Sequence, residues 1–447
     1  MREIDTESRK IESPWSVEVI SASDQFVAQA ASIAEINSTA IPEMEAKAEA
    51  HRFASFDAIS KHLTAEDLEE FSRHAKELGN GILELVGRIE KGETGKSITL
   101  KMGGSAGAAI SYLVMHTTRS LGADPHHQLL RNSLLVSAVS GFEILFGRIA
   151  RSILQINGAA FNESDYGFTL QQLTEFESLD DAREYLIERQ VSKLLYESID
   201  GWDKWLKRAS GGLSMSDLPV DWTVIREGFA RRNLIVHADG VVNQLYLGAL
   251  KNLDSRRDWG VHAGEKLGVS DEYLAGFLQE LMALGRMLSA GIGLKMHKSD
   301  QSAFVASLQT DTYRSIMSGH WRTAIALSEY SMRHDLPRSK MIRTQVRAWI
   351  ARKSLFGIDD IRNEVESWDV SGLAAEFSHF RSVLLDDKES ATRQIRKLIE
   401  DDKLTIFEIA IDPVYAGIRE AFVNPSTDPS GDFGDQDEIS GEGKGSE

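Results

Sequence analysis

Residues 222–240 read WTVIREGFARRNLIVHADG. Trp222, Ile225, Phe229 and Val236 stand at i, i+3, i+7 and i+14, one stripe of a 3.6-residue period, so the spacing predicts a helix that Gly240 allows to stop. The position completing the stripe at i+10 is Arg232. A guanidinium therefore points where a core side chain is expected. Arginine keeps its proton in a protein, so on an inward stripe it needs a carboxylate or phosphate partner, or an interface with trapped water. Asn233 and His237, four residues apart, share the neighbouring face, close enough for the amide to hold the imidazole in one tautomer. One cation, one amide and one titratable ring fit a phosphodiester: His237 as general acid or base, Arg232 on the developing charge, Asn233 as orienter. The same residues also fit a structural ion pair beside a histidine favoured by the helix dipole.

Outward from this stretch the pattern stays helical. Arg131 to Ile156 carries Leu135, Val139, Phe142, Phe146, Ile149 and Ile153 on one stripe,. Between Asn132 and Gly147 the only charged side chain is Glu143. A carboxylate in such an apolar run either pairs, with Arg232 or Arg231, or reaches solvent at the helix edge. Ala106 to Ser120, two amphipathic helices within Phe168 to Leu206, and Asp271 to Met296 complete a four- or five-helix bundle. The loop Gly211-Gly212 to Leu218-Pro219 leads into the 222–240 helix.

The run Arg232-Asn233-x-x-x-His237 followed by Gly240 resembles the Arg-x4-6-His signature of the HEPN superfamily in its RNxxxH form, with Gly240 to Leu247 trailing it as in many bacterial HEPN proteins. Phe168–Leu173, Glu188–Val191 and Trp202–Leu206 resemble the middle helices of such domains, and Ser140-Gly141-Phe142-Glu143 the upstream helix with its acidic residue. The resemblance covers about Ser105 to Lys298 and implies metal-independent RNA cleavage. His237 would serve as base on the 2′-hydroxyl or acid on the 5′-oxygen, and Arg232 would stabilise the pentacovalent phosphate. Asn233 belongs to the same catalytic set, with Glu143 and Arg231 supporting it. One histidine cannot easily fill both proton-transfer roles, so the resemblance also implies a homodimer that joins two motifs in one cleft. HEPN toxins silenced by a partner nucleotidyltransferase resemble R-x4-6-H-x-Y. Position 239 here is Asp239 and the nearest tyrosine is Tyr246, which puts that route of control in doubt.

At 447 residues the chain exceeds one ordinary core,. It has no cysteine, which excludes disulfides, thiolate zinc sites and cysteine nucleophiles and agrees with a reducing cytoplasm. No targeting segment is legible at the charged N-terminus, and no apolar run approaches a bilayer span, so a cytoplasmic protein without membrane partners is expected. The net charge of −18 opposes RNA binding through a broad basic face,. From Pro425 onward seven carboxylates face Lys444 alone, which leaves that tail at −6 and the remainder at −12. RNA contact would need a focused pocket.

In the first hundred residues Ser16 to Ile20 alternates like a short strand, while Ala28 to Ala50 and Ala65 to Glu90 read as helical, the latter capped by Thr64. Gly92 to Ser97 ends like a phosphate-binding loop, but Glu90 stands where the first glycine belongs, and a surface turn is expected. His116, His126 and His127 lie near Asp124 without a second carboxylate at ligand spacing, so no metal or other cofactor is assigned. No hydrolase triad is assigned. From Ser299 to Asn424 helices pair at a spacing near the mid-thirties, weakly similar to tetratricopeptide hairpins. Arg338, Lys340, Arg343 and Arg347 form part of a basic band there, suited to RNA, to an acidic regulatory protein, or to solvent.

The expected architecture is all-α: a mostly helical extension over 1–104, a HEPN-like bundle over 105–298, helical hairpins over 299–424 and an acidic tail over 425–447. The expected function is a regulated endoribonuclease of toxin or antiphage type. The alternative is a non-catalytic HEPN-like dimerisation or sensor scaffold.

Overall fold

The structure, a computed structural model, describes residues 13–47, 50, 61, 63–89, 104–111, 126–160 and 168–423. Among these the regular structure is helical, with no β-strand and one isolated bridge between Val241 and Lys266. The fold is all-α. The chain forms two compact units that divide between Phe304 and Val305, inside the helix Gln301–Met317 rather than at residue 298.

The longer helices of the first unit are α1 (Pro14–Glu35), α2 (Ala65–Ile89), α3 (His126–Ile156), α4 (Leu179–Leu195), α5 (Ile199–Ala209), α6 (Trp222–Ala238), α7 (Gln244–Leu253) and α8 (Asp271–Met296). Helix α3 is the centre. Its stripe of Leu135, Val139, Phe142, Phe146, Ile149 and Ile153 is wholly buried, against α1, α4, α5, α6 and α8. Each such side chain contributes about 1.5–3 kcal/mol on leaving water. An aromatic cluster forms where α3, α5 and α6 meet: Trp202 stacks on Phe146 at 4.6 Å, and Phe229 packs edge-on against Phe142 at 6.1 Å. The Trp202 indole donates to the Leu194 carbonyl at 2.8 Å, so its burial leaves no unpaired donor,. By length and composition α3 could also cross a bilayer, contrary to the reading of apolar runs, but most of its apolar window is buried in the bundle.

Two expectations for the N-terminal region are overturned. Ser16 to Ile20 lies in α1, not in a strand. Ser13 caps that helix by accepting from the Trp15 amide, and Pro14 occupies a first-turn position where its missing N–H costs nothing,. Trp15, Val19, Ile20, Phe26, Ala30 and Ile33 then form one buried face, so packing overrides a local β-like alternation,. Nor is α1 a separate extension. The Trp15 indole donates to Ser152 O at 2.8 Å, Ser289 donates to Val19 O at 3.1 Å, and Arg286 pairs with Asp24 at 2.7 Å, tying α1 to α3 and α8. Thr64 does cap α2, exchanging hydrogen bonds with Asp67. The phosphate-loop-like run 92–97, residues 112–120 with His116, and the acidic tail lie outside the described residues.

The second unit holds α9 (Gln301–Met317), α10 (Trp321–Ser331), α11 (Arg338–Phe356) and α12 (Lys388–Glu400) as its longer helices. Helices α10 and α11 pack as a hairpin. Helices of 6, 4 and 5 residues follow before α12, so the hairpins are uneven in length. Their core gathers Trp349, Ile361, Val365, Phe380, Ile395 and Tyr415. His379 is buried there, its Nε2 2.8 Å from the Tyr415 hydroxyl.

Candidate functional site

Helix α6 begins at Asp221, whose carboxylate accepts from the amides of Thr223 and Val224 at 2.9 and 3.2 Å,. It ends where Asp239 and Gly240 turn left-handed, at φ 51° and 75°, and the Gly240 amide closes on Leu234 O at 3.2 Å,. A Cβ at Gly240 would stand 2.9 Å from Leu267 O, so glycine lets the 265–267 segment dock there. In mid-helix, Gly228 lies against Phe277: a Cβ at that position would come within 2.1 Å of the ring, which sets how closely α6 approaches α8.

The buried face of α6 therefore differs from the sequence stripe. Ile225, Glu227, Gly228 and Leu234 are buried, whereas Val236 is half exposed. Arg232 is partly exposed rather than a core residue, its side chain at 22% and that of Glu143 at 26%. Of the pairings left open, Glu143 with Arg232 is present: Nη2 donates to both carboxylate oxygens at 2.8 Å. Nη1 donates to Asn233 Oδ1 at 2.9 Å, so the amide oxygen sits on the guanidinium and not on the imidazole. His237 is exposed one turn further along and forms no hydrogen bond among the described residues. Arg232 and His237, five residues apart, differ by about 7.5 Å along the helix axis. The arrangement is a guanidinium held by three oxygens of two residues, with one N–H of Nη1 still available by valence and a buried Nε N–H without a partner, beside an unengaged imidazole open to solvent,.

Arg231 takes a different role from its neighbour. Its Nε donates to the buried Glu227 at 2.7 Å, its Nη1 to Gly268 O at 3.1 Å, and its guanidinium lies 3.8 Å from the centre of the Tyr273 ring. Glu227 also accepts from the hydroxyls of Tyr246 and Tyr273, each at 2.5 Å. Burial, followed by the adjacent Glu227 carboxylate, holds both phenols well above the ordinary tyrosine range, so they remain donors,. This knot joins α6, α7, α8 and the loop before α8. Sequence reasoning missed Glu227. The usable signal was its spacing, four residues before Arg231 and seven before Leu234 on one face,.

The basic band of the second unit divides. Arg338 and Arg343 are exposed, the latter 5.4 Å from the Phe377 ring centre. Lys340 is half buried. Arg347 is turned inward, donating to Gln309 O at 3.2 Å over the Tyr313 ring, a placement that serves packing better than contact with a partner. Arg352 and Lys353 are spent on Asp360, Glu364 and Asp386.

The histidine cluster resolves into an exposed His126 and a His127 that lies 3.8 Å from Glu45, which Arg131 also holds at 2.9 Å. Among the described residues no three His, Asp or Glu side chains are placed to hold a metal ion. Compared with known proteins, the chain matches no family model, no curated protein and no solved structure.

Proposed function

We propose that this chain is an endoribonuclease of HEPN type, acting without a metal at a composite site of a homodimer and serving as a regulated toxin or antiphage effector. The observation that carries the reading is the pairing on α6 of a guanidinium fixed by Glu143 and Asn233 with an exposed, unengaged His237. An imidazole free of protein partners keeps both ring nitrogens available to a substrate. The 2′-oxygen would lose its proton to one histidine and attack phosphorus, forming a 2′,3′-cyclic phosphate. The bond to the 5′-oxygen would break, with the second protomer's histidine protonating that leaving group. Arg232 would meet the charge on the pentacovalent phosphate through the Nη1 N–H that Asn233 leaves free. Regulation through a protein partner would fall to the helical second unit, with Arg338 and Arg343 as its exposed cations.

The test is cleavage of bulk cellular RNA and tRNA in EDTA by the wild type and His237→Ala. The expected outcome is cleavage leaving cyclic phosphate ends, reduced about 10²–10⁴-fold in the variant, with melting temperature and oligomeric state unchanged. Equal cleavage by both proteins would remove His237 from the chemistry.

A second reading, a non-catalytic dimerisation or sensor scaffold, is favoured by the two-oxygen grip of Glu143 on Arg232, which already neutralises the guanidinium,. It expects Arg232→Ala to lower stability with no RNA cleavage to lose, in vitro or on expression in cells.

A further inference from the structure

We propose that the cleft between α4 and α5 is a binding site for a small phosphomonoester bearing hydroxyl groups, of the size and chemistry of a sugar phosphate. The cleft has a volume of ≈ 310 Å³ and is lined by Gln190, Lys193, Glu197, Lys204, Trp205 and Arg208. That volume lies at the small end of the range for ligand sites.

Charge is the first reason. The chain carries −18 overall, yet three cations face one carboxylate here. Lys204 and Arg208 stand four residues apart on α5, both exposed, and neither forms an ion pair among the described residues. Like charges at that spacing repel and destabilise a helix. An anion seated between them turns the repulsion into two charge-assisted contacts.

Two buried polar groups in the same walls supply the second reason. The Gln190 amide oxygen and the Trp205 indole N–H are buried, on side chains 4% and 6% exposed, and neither has a hydrogen-bond partner. Leaving such a group unpaired forfeits the hydrogen bond it made to water in the unfolded chain. Neither atom is open to solvent as it stands, so a ligand reaches them only as their side chains turn toward the cleft; one is an acceptor and the other a donor, and a ligand that satisfies both carries a hydroxyl as well as an oxygen acceptor. Rotation about the last side-chain bond of Gln190 turns either end of its amide toward the cleft. Glu197 at the rim accepts from a second hydroxyl and opposes a long polyphosphate, which selects a polyol with a single phosphate.

This inference does not rest on RNA cleavage, and His237→Ala is expected to bind as the wild type does. The experiment is calorimetric titration of the full-length protein with ribose 5-phosphate, ribose, inorganic phosphate and a short single-stranded RNA. Ribose 5-phosphate should bind saturably and more tightly than either half. Lys204→Glu with Arg208→Glu should weaken it at least tenfold while leaving the ligand-free melting temperature unchanged. Gln190→Leu, which removes an unpaired buried oxygen, should raise that melting temperature and weaken binding. The proposal is overturned by absence of saturable binding up to about 10 mM, where affinity would be worth under about 3 kcal/mol. It is equally overturned by unchanged affinity in the double charge variant, by phosphate alone binding as tightly, or by a short single-stranded RNA being the only probe bound.

Discussion

Two polar clusters share helix α6, and their surroundings separate them. Around Glu227 three donors converge on one buried carboxylate. At the next turns Arg232 engages both Asn233 and Glu143, while His237 engages nothing among the described residues. A buried carboxylate keeps its charge only if its lone pairs are filled, and once they are filled it has nothing left to offer a substrate. An exposed imidazole adds little to stability and keeps both ring nitrogens available. The difference teaches that proximity on one helix does not make one site: Arg231 is tied into the buried knot, whereas Arg232 sits part-exposed with Glu143.

The largest expected effect is at the knot. Glu227→Ala should cost about 3–5 kcal/mol in urea unfolding, because it strands a buried guanidinium and two phenols. A loss below 1 kcal/mol would show that the knot is not structural and would collapse the contrast with His237.

The second prediction concerns a buried histidine, His379, as the counterpart of the exposed one. Burial pushes its pKa down to about 4 from 6.5. In the folded state it therefore stays neutral while the unfolded chain takes up a proton. The associated stability is present above pH 6.5 and is lost as pH falls from 6.5 toward 4. Urea unfolding of the second unit at pH 7 and pH 5 should show this loss, and His379→Gln should flatten it. A slope unaltered by the substitution would assign the acid sensitivity to other groups.

A smaller effect is expected at the Glu143–Arg232 pair, where both side chains retain about a quarter of their exposure. A double-mutant cycle with Glu143→Gln and Arg232→Gln should return a coupling of about 1–3 kcal/mol. Additive single effects would mean that the grip contributes nothing to folding. Least of all, His237→Ala should change stability by less than about 0.5 kcal/mol. A larger loss would place His237 in the scaffold with Arg231 and favour the non-catalytic reading.

Much of the bundle was legible because its helices advertise themselves. The α3 stripe from Leu135 to Ile153 is apolar at every inward position, and Asp271 to Met296 is helical over the range its pattern indicates. The buried face of α6 was harder to read. Its closest contact is made by a glycine, and a neighbouring buried position holds a glutamate, so hydrophobic spacing pointed instead to Val236,. The alternation in Ser16 to Ile20 misled for the reverse reason: exposed Val17 and Glu18 interrupt a helical face whose partners lie more than a hundred residues away.

What the sequence determined by itself is the all-α class, the helical cores and the candidate set Arg232, Asn233 and His237, because periodicity and residue type are local properties. Tertiary structure decided which arginine meets Glu143, that Asn233 serves the guanidinium, and that α1 belongs to the bundle. Those outcomes depend on which distant groups compete for the same donors and the same buried space, and a linear pattern does not encode that competition.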